Sequence, residues 1–148
     1  MTERFPRRVI FDTSTLVSAA LRPGSIPHQA QLLATRFCEL CASQQTLDEL
    51  REVSTREKFK SYLAQSERQD FVRLVENSVR LFVVRPDDLS SLAPPCRDPN
   101  DNKFLALALE AEAEGIVSSD QDLLALDPWN EVRILRPSHF VDEMTRDV

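Results

Sequence analysis

Two short stretches of this 148-residue chain that read as strands end in aspartate: residues 9–11 lead into Asp12, and residues 116–119 into Asp120. Two further sources of carboxylate lie between them. One is the run RDPNDNKF, which clusters Asp98, Asp101 and Asn102; the other is Glu49, in TLDEL. Carboxylates drawn together from separate elements repel one another unless a cation sits among them. A donor set made only of oxygen suits Mg²⁺ or Mn²⁺ in preference to Zn²⁺. Each acid also has a purely structural reading. Asp12 alone can cap a following helix, Asp98 and Asp101 can serve as cap and first-turn acids that favour a helix dipole, and Glu49 can be a solvated helix acid. The joint pattern is what points to a site.

Other chemistry is poorly supplied. Cys38 and Cys41 form a C-x-x-C, but on a strand they face opposite sides, and no second Cys or His pair completes a zinc site. With Cys96 as the third cysteine, reduced thiols are expected. His28 and His139 are isolated, and two glycines in the whole chain assemble neither a dinucleotide fingerprint nor a phosphate loop. Ser14 lacks the nearby base of a nucleophilic triad. It also stands where a phosphate-monoester hydrolase working through Asp12 as nucleophile would need a second acid.

The elements that must position these acids can be read from hydrophobic spacing. Residues 9–11 are a buried strand that stops in a polar turn, and 16–21 resume as a helical turn that two prolines and a glycine break over 22–27. A helix restarts near His28 with Ala30, Leu33, Ala34 and Phe37 on one face. Residues 37–43 are a second strand, followed by a helix whose stripe is Leu47, Leu50 and Val53, with Glu49 off that stripe. A helix over 65–78 and a strand over 80–86 lead to a proline-bearing loop, 87–99. Residues 101–115 are the clearest helix, with Gly115 as its expected left-handed stop. A strand ending at Asp120, a helical turn over 122–126, a strand over 132–135 and a helical segment after Pro137 complete the chain. Strand and helix in alternation, with short fully apolar strands, predict a parallel α/β sheet, in which ligands bind at the carboxyl ends of the strands.

Composition bounds what such a site can meet. The net charge of -6, from 24 acids against 18 bases, disfavours a protein that grips nucleic acid through a broad basic surface. The charge is uneven, however: residues 1–80 carry 12 bases and 10 acids, and residues 81–148 carry 6 bases and 14 acids. Arg51, Arg56, Lys58 and Lys60 fall on and just beyond the helix bearing Glu49, either as a solvated face or as a guide for a phosphate backbone. No apolar run is long enough for a membrane span, and the N-terminus, with Arg4, Pro6, Arg7 and Arg8, is not that of a signal peptide, so a cytoplasmic protein is expected. A single domain spanning 1–148, with its core at about 8–140, accounts for the length.

Three ordered motifs, FDTSTLVSA, TLDEL and DPNDNKFLALALEAEAEGIVSSDQDLL, resemble the PIN domain, in particular the subgroup of toxins from toxin–antitoxin pairs similar to VapC-type ribonucleases. The resemblance runs over about 9–140. It implies a three-layer α/β/α sandwich with a central, mostly parallel sheet, and an Mg²⁺- or Mn²⁺-dependent endoribonuclease acting on single-stranded RNA. Carried over by position, Asp12, Glu49, Asp101 and Asp120 match the catalytic and metal-binding acids. Asp98 and Asp122 match further acids common in the subgroup, and Ser118 stands where a hydroxyl supports the last acid. Two positions depart from the pattern: Ser14 replaces a frequent Asn, and Asn102 a frequent acid. Implied partners are RNA, a protein antitoxin and further copies of the chain in a homodimer or higher homo-oligomer, with no membrane. The alternative is a PIN-fold protein of weak or lost catalysis that acts mainly as partner of an antitoxin or as a homo-oligomer subunit.

Overall fold

A computed structural model of the chain describes residues 7–146; Arg4 and Pro6 lie outside them. Five strands form one sheet: β1 (Arg8–Phe11), β2 (Glu39–Ser43), β3 (Arg80–Phe82), β4 (Gly115–Val117) and β5 (Arg133–Leu135). Their order is β3-β2-β1-β4-β5 and every neighbouring pair is parallel. Among the described residues eight α-helices connect and cover them: α1 (Thr13–Leu21), α2 (Ile26–Phe37), α3 (Gln44–Ser54), α4 (Gln65–Ser78), α5 (Pro86–Ser90), α6 (Asn102–Ala111), α7 (Gln121–Leu124) and α8 (Pro137–Thr145).

The apolar strands are continuous runs because successive side chains enter two different cores. Val9, Phe11, Leu40, Val117 and Leu135 face a core completed by Leu16 and Val17 of α1, Ala30 and Ala34 of α2, Val72 and Val75 of α4, and Phe140 of α8. Ile10, Cys41, Ile116 and Ile134, one step out of phase, face a second core with Phe104, Leu105 and Leu107 of α6 and with Trp129. The result is the three-layer α/β/α sandwich that the motifs implied. Phe140 meets Phe11 edge to face at 5.9 Å, which docks α8 beneath the end of β1. On the other side, the Trp129 indole N–H donates to the carbonyl of Pro94 at 2.7 Å, fastening the loop before α6.

Several boundaries differ from the sequence reading, each for a local reason. The first helix starts at Thr13, three residues before the expected start, because Asp12 caps it. Pro27 opens α2 instead of ending a break, as a proline in the first turn gives up only an amide that has no helical partner. Phe37 therefore belongs to α2, and β2 starts at Glu39. Likewise Pro86, read as the end of a strand, begins α5, which runs on into the segment read as loop, and β3 stops at Phe82. The long helix α6 stops at Ala111: Glu112 takes the left-handed conformation, φ 51°, that Gly115 was expected to supply, and Gly115 opens β4. No helix among the described residues is long and apolar enough to cross a membrane.

Candidate active site

The chain steps outward from β1 to β3 and then returns to lay β4 against the other side of β1. Loops leaving β1 and β4 diverge from this switch point and open a crevice at the carboxyl edge. Asp12 follows β1 directly and Asp120 lies just beyond β4. Asp101 reaches the same cleft from the turn that starts α6, and Glu49 reaches it from α3. Ser14 stands on its wall.

Asp12 is 3% exposed. Its Oδ1 accepts from the backbone N–H of Thr15 at 3.0 Å and more weakly from the Ser14 hydroxyl at 3.5 Å, and its Oδ2 accepts from the hydroxyl of Ser118. The fully buried Ser118 in turn accepts from the backbone N–H of Asp120 at 2.9 Å, so one hydroxyl ties the loop after β4 to the acid after β1. Burial pushes the Asp12 carboxyl above its ordinary range, the bonds from Ser118 and Thr15 oppose this, and the charge of Asp120 adds to the rise. Asp120 also caps a helix: its Oδ1 accepts from the backbone N–H groups of Asp122 and Leu123 at 2.8 and 3.2 Å. Capping and a place in the cleft are thus compatible for both acids.

Asp101 is different, for its side chain caps nothing and its Oδ2 is buried without a hydrogen-bond partner. Burial raises its pKa to about 7; the charges of Asp120, Asp98 and Asp12 act in the same direction and Lys103 acts against them. Glu49 is no solvated helix acid: the Thr13 hydroxyl donates to its Oε1, and the Lys103 ammonium donates to its Oε2 at 2.6 Å. Lys103 also donates to the carbonyl of Asn100 at 2.6 Å. Neither Thr13 nor Lys103 was singled out in the sequence. The available signal was position, since one follows Asp12 directly and the other closes the run DPNDNK two residues after Asp101.

The remaining expected residues stand back from the cleft. Asp98 accepts from the backbone N–H of Asn100 at 3.0 Å and caps the turn leading to Asp101, where its charge is felt. Asp122 contributes its backbone N–H to Asp120. Asn102 is turned to the preceding loop, accepting from the N–H of Cys96 at 2.7 Å. Arg56 and Lys58 line the cleft, whereas Arg51 pairs with Glu76 and Asp48, and Lys60 with Glu57. Cys38 packs toward the first core and Cys41 into the second, so the pair does not converge; burial lifts their thiols to about 12 and about 11. His28 accepts from the N–H of Gly24, and His139 lies 3.5 Å from Glu143, both away from the acids.

Among the described residues, no group of three or more acids, histidines or cysteines already stands close enough to grip an ion. The donors nonetheless suit a hard divalent cation. All are carboxylates, one buried oxygen lacks a partner, and Asp12 and Asp101 are held above ordinary acidity by burial and by repulsion that a cation would relieve.

Residues 8–122 match the family model described as PIN domain. An uncharacterised protein of Methanocaldococcus jannaschii is 26% identical over 155 aligned positions, covering 97% of this chain and 96% of that protein. The fold is similar to VapBC2 from Rickettsia felis bound to a DNA fragment from their promoter, with TM-score 0.65, 12% identity, and 87% of this chain and 98% of that one covered. It is similar to PAE2754 from Pyrobaculum aerophilum, with TM-score 0.64, 17% identity and coverage of 92% and 88%. The Mycobacterium tuberculosis sarcin-ricin loop cleaving toxin VapC20 aligns with TM-score 0.56, 16% identity and coverage of 84% and 98%.

Proposed function

Because the chain belongs to the PIN domain family, we propose that it is an endoribonuclease that cuts phosphodiester bonds of single-stranded RNA with the help of Mg²⁺ or Mn²⁺. The observation that carries this reading is the meeting of Asp12, Asp101 and Asp120 in one cleft at the switch point of the sheet. These three acids would hold the ion, with Glu49 beside them. Once bound, a divalent ion offsets the carboxylate charge, polarises a phosphodiester oxygen and makes a water a better nucleophile.

The protein's own part is to place the groups. Thr15 and Ser118 aim the Asp12 carboxylate, and the first turn of α7 aims Asp120. Thr13 and Lys103 hold Glu49 at the cleft, where it orients the attacking water or adds a donor. Asp98 and Asp122 act through the backbone turns that carry Asp101 and Asp120, and Ser14 offers a hydroxyl at the mouth. Arg56 and Lys58 draw the phosphate backbone toward an otherwise acidic pocket.

Likeness to VapBC2 and to the toxin VapC20 supports a further step: that this ribonuclease is the toxin of a toxin–antitoxin pair, cytoplasmic, partnered by a protein antitoxin and by further copies of itself. The binding-module alternative rests on the two departures from the family pattern, Ser14 and Asn102. Cleavage assays on single-stranded RNA separate the two. We expect cutting by the wild type only with Mg²⁺ or Mn²⁺ present, and a loss of at least about a hundredfold in Asp12→Asn and in Asp120→Asn. Undiminished cutting by both variants sinks the site assignment, and a wild type that never cuts leaves the binding module.

A further inference from the structure

The acid cleft does not end at its acids. Ser18, Leu21 and Phe59 line it and also line an adjoining hollow, whose other walls include Arg22 and Tyr62. These three residues are a wall common to both hollows, so the acids lie on one side of it and an aromatic and basic surface on the other. Tyr62 is 57% exposed, an aromatic ring left largely in water. The cations here differ from the rest of their neighbourhood. Arg56 is engaged by Glu52, Lys60 by Glu57 and Arg51 by Glu76. Among the described residues Arg22 has no acidic partner, and Lys58 has only the Phe59 ring, 5.1 Å from its ammonium. Unpaired cations interleaved with an exposed flat ring match a strand that alternates phosphates with bases.

We propose that Tyr62 is the platform on which a base flanking the cleavage point stacks, with Arg22 and Lys58 taking the neighbouring phosphates. This rests on the ribonuclease reading and assigns to it a binding subsite outside the acids. Stacking on one ring serves any base, so the subsite adds affinity for unpaired RNA and little sequence preference.

The test uses the full chain, a single-stranded RNA of about ten nucleotides, its uncleavable 2′-O-methyl form and the same backbone without bases. Tyr62→Ala is expected to raise KM for cleavage and Kd for the 2′-O-methyl strand about tenfold, to leave the weaker binding of the baseless strand unchanged, and to be rescued by Tyr62→Phe. Arg22→Ala is expected to flatten the salt dependence of Kd. Cleavage by the wild type with equal affinity in Tyr62→Ala overturns the subsite and leaves the ribonuclease reading standing. Loss on the baseless strand, or no rescue by phenylalanine, also overturns it. If Tyr62→Ala instead dissociates an oligomer in sedimentation while RNA affinity holds, the patch is a self-association surface and the subsite falls. A wild type that neither binds nor cuts RNA overturns both readings.

Discussion

Asp101 lacks the hydrogen bonds that steady Asp12 and Asp120, and its raised pKa gives the fold a measurable pH dependence. Its carboxyl titrates at about 7 in the folded chain against an ordinary 3.8. Between those values the folded chain keeps a proton that the unfolded chain has released, so this group's contribution to stability falls as pH rises and is lost above about 7. Asp101→Asn removes the effect. Without divalent ions, it should melt higher than the wild type at pH 8, by roughly 1–2 kcal/mol or a few degrees once solvent screening of a partly buried group is allowed for, and the advantage should shrink toward pH 4. Thermal melts at both pH values measure it, and an advantage that does not change with pH defeats the argument. Asp12, Asp101 and Asp120 could be picked out in the sequence because strand ends and a helix start advertise themselves locally, whereas Glu49, in the middle of α3, stood out only through the motif TLDEL. Lys103 and Thr13 did not stand out, because what gives them meaning is Glu49, on α3, distant in the chain and adjacent only after folding.

Among the elements, those with unbroken apolar runs were readable: β1, β4 and the buried helix α6. Elements opened by proline were misplaced, since the same residue that ends a strand or helix also starts one, and only the next few amides decide which. The stop of α6 was misassigned because tertiary packing of Ala111 and Ala113 against the second core sets its length, and Glu112 bears the left-handed turn. Asn102, where the family often has an acid, also acquires its explanation at this scale, as the residue that pins the segment before α6 to the helix through the Cys96 amide. Asn102→Ala should cost about 1–3 kcal/mol by leaving that amide unpaired. Asn102→Asp keeps an acceptor there and should melt close to the wild type, with RNA cleavage unchanged. A gain of activity in Asn102→Asp would show that this position belongs to the cleft after all.

For the whole molecule, two cores share one sheet, and the acids sit where both meet its carboxyl edge. Taking residues 1–148 as one domain, neither core can melt without exposing the strand residues of the other. Trp129, the single tryptophan, is buried in the second core alone, whereas far-ultraviolet circular dichroism reports on helices of both layers. The two probes should give coincident denaturation curves. A tryptophan transition that runs ahead would divide the chain into separately folding parts. The edges of the sheet are short: its outermost strands, β3 and β5, are three residues each. Margins that short offer an incoming strand only a few backbone bonds, and one of them, β3, opens with Arg80 and is followed by Arg85. Any other chain that settles on this protein is thereby steered to its helices and loops and away from lengthening the sheet, so assembly here is written in side chains.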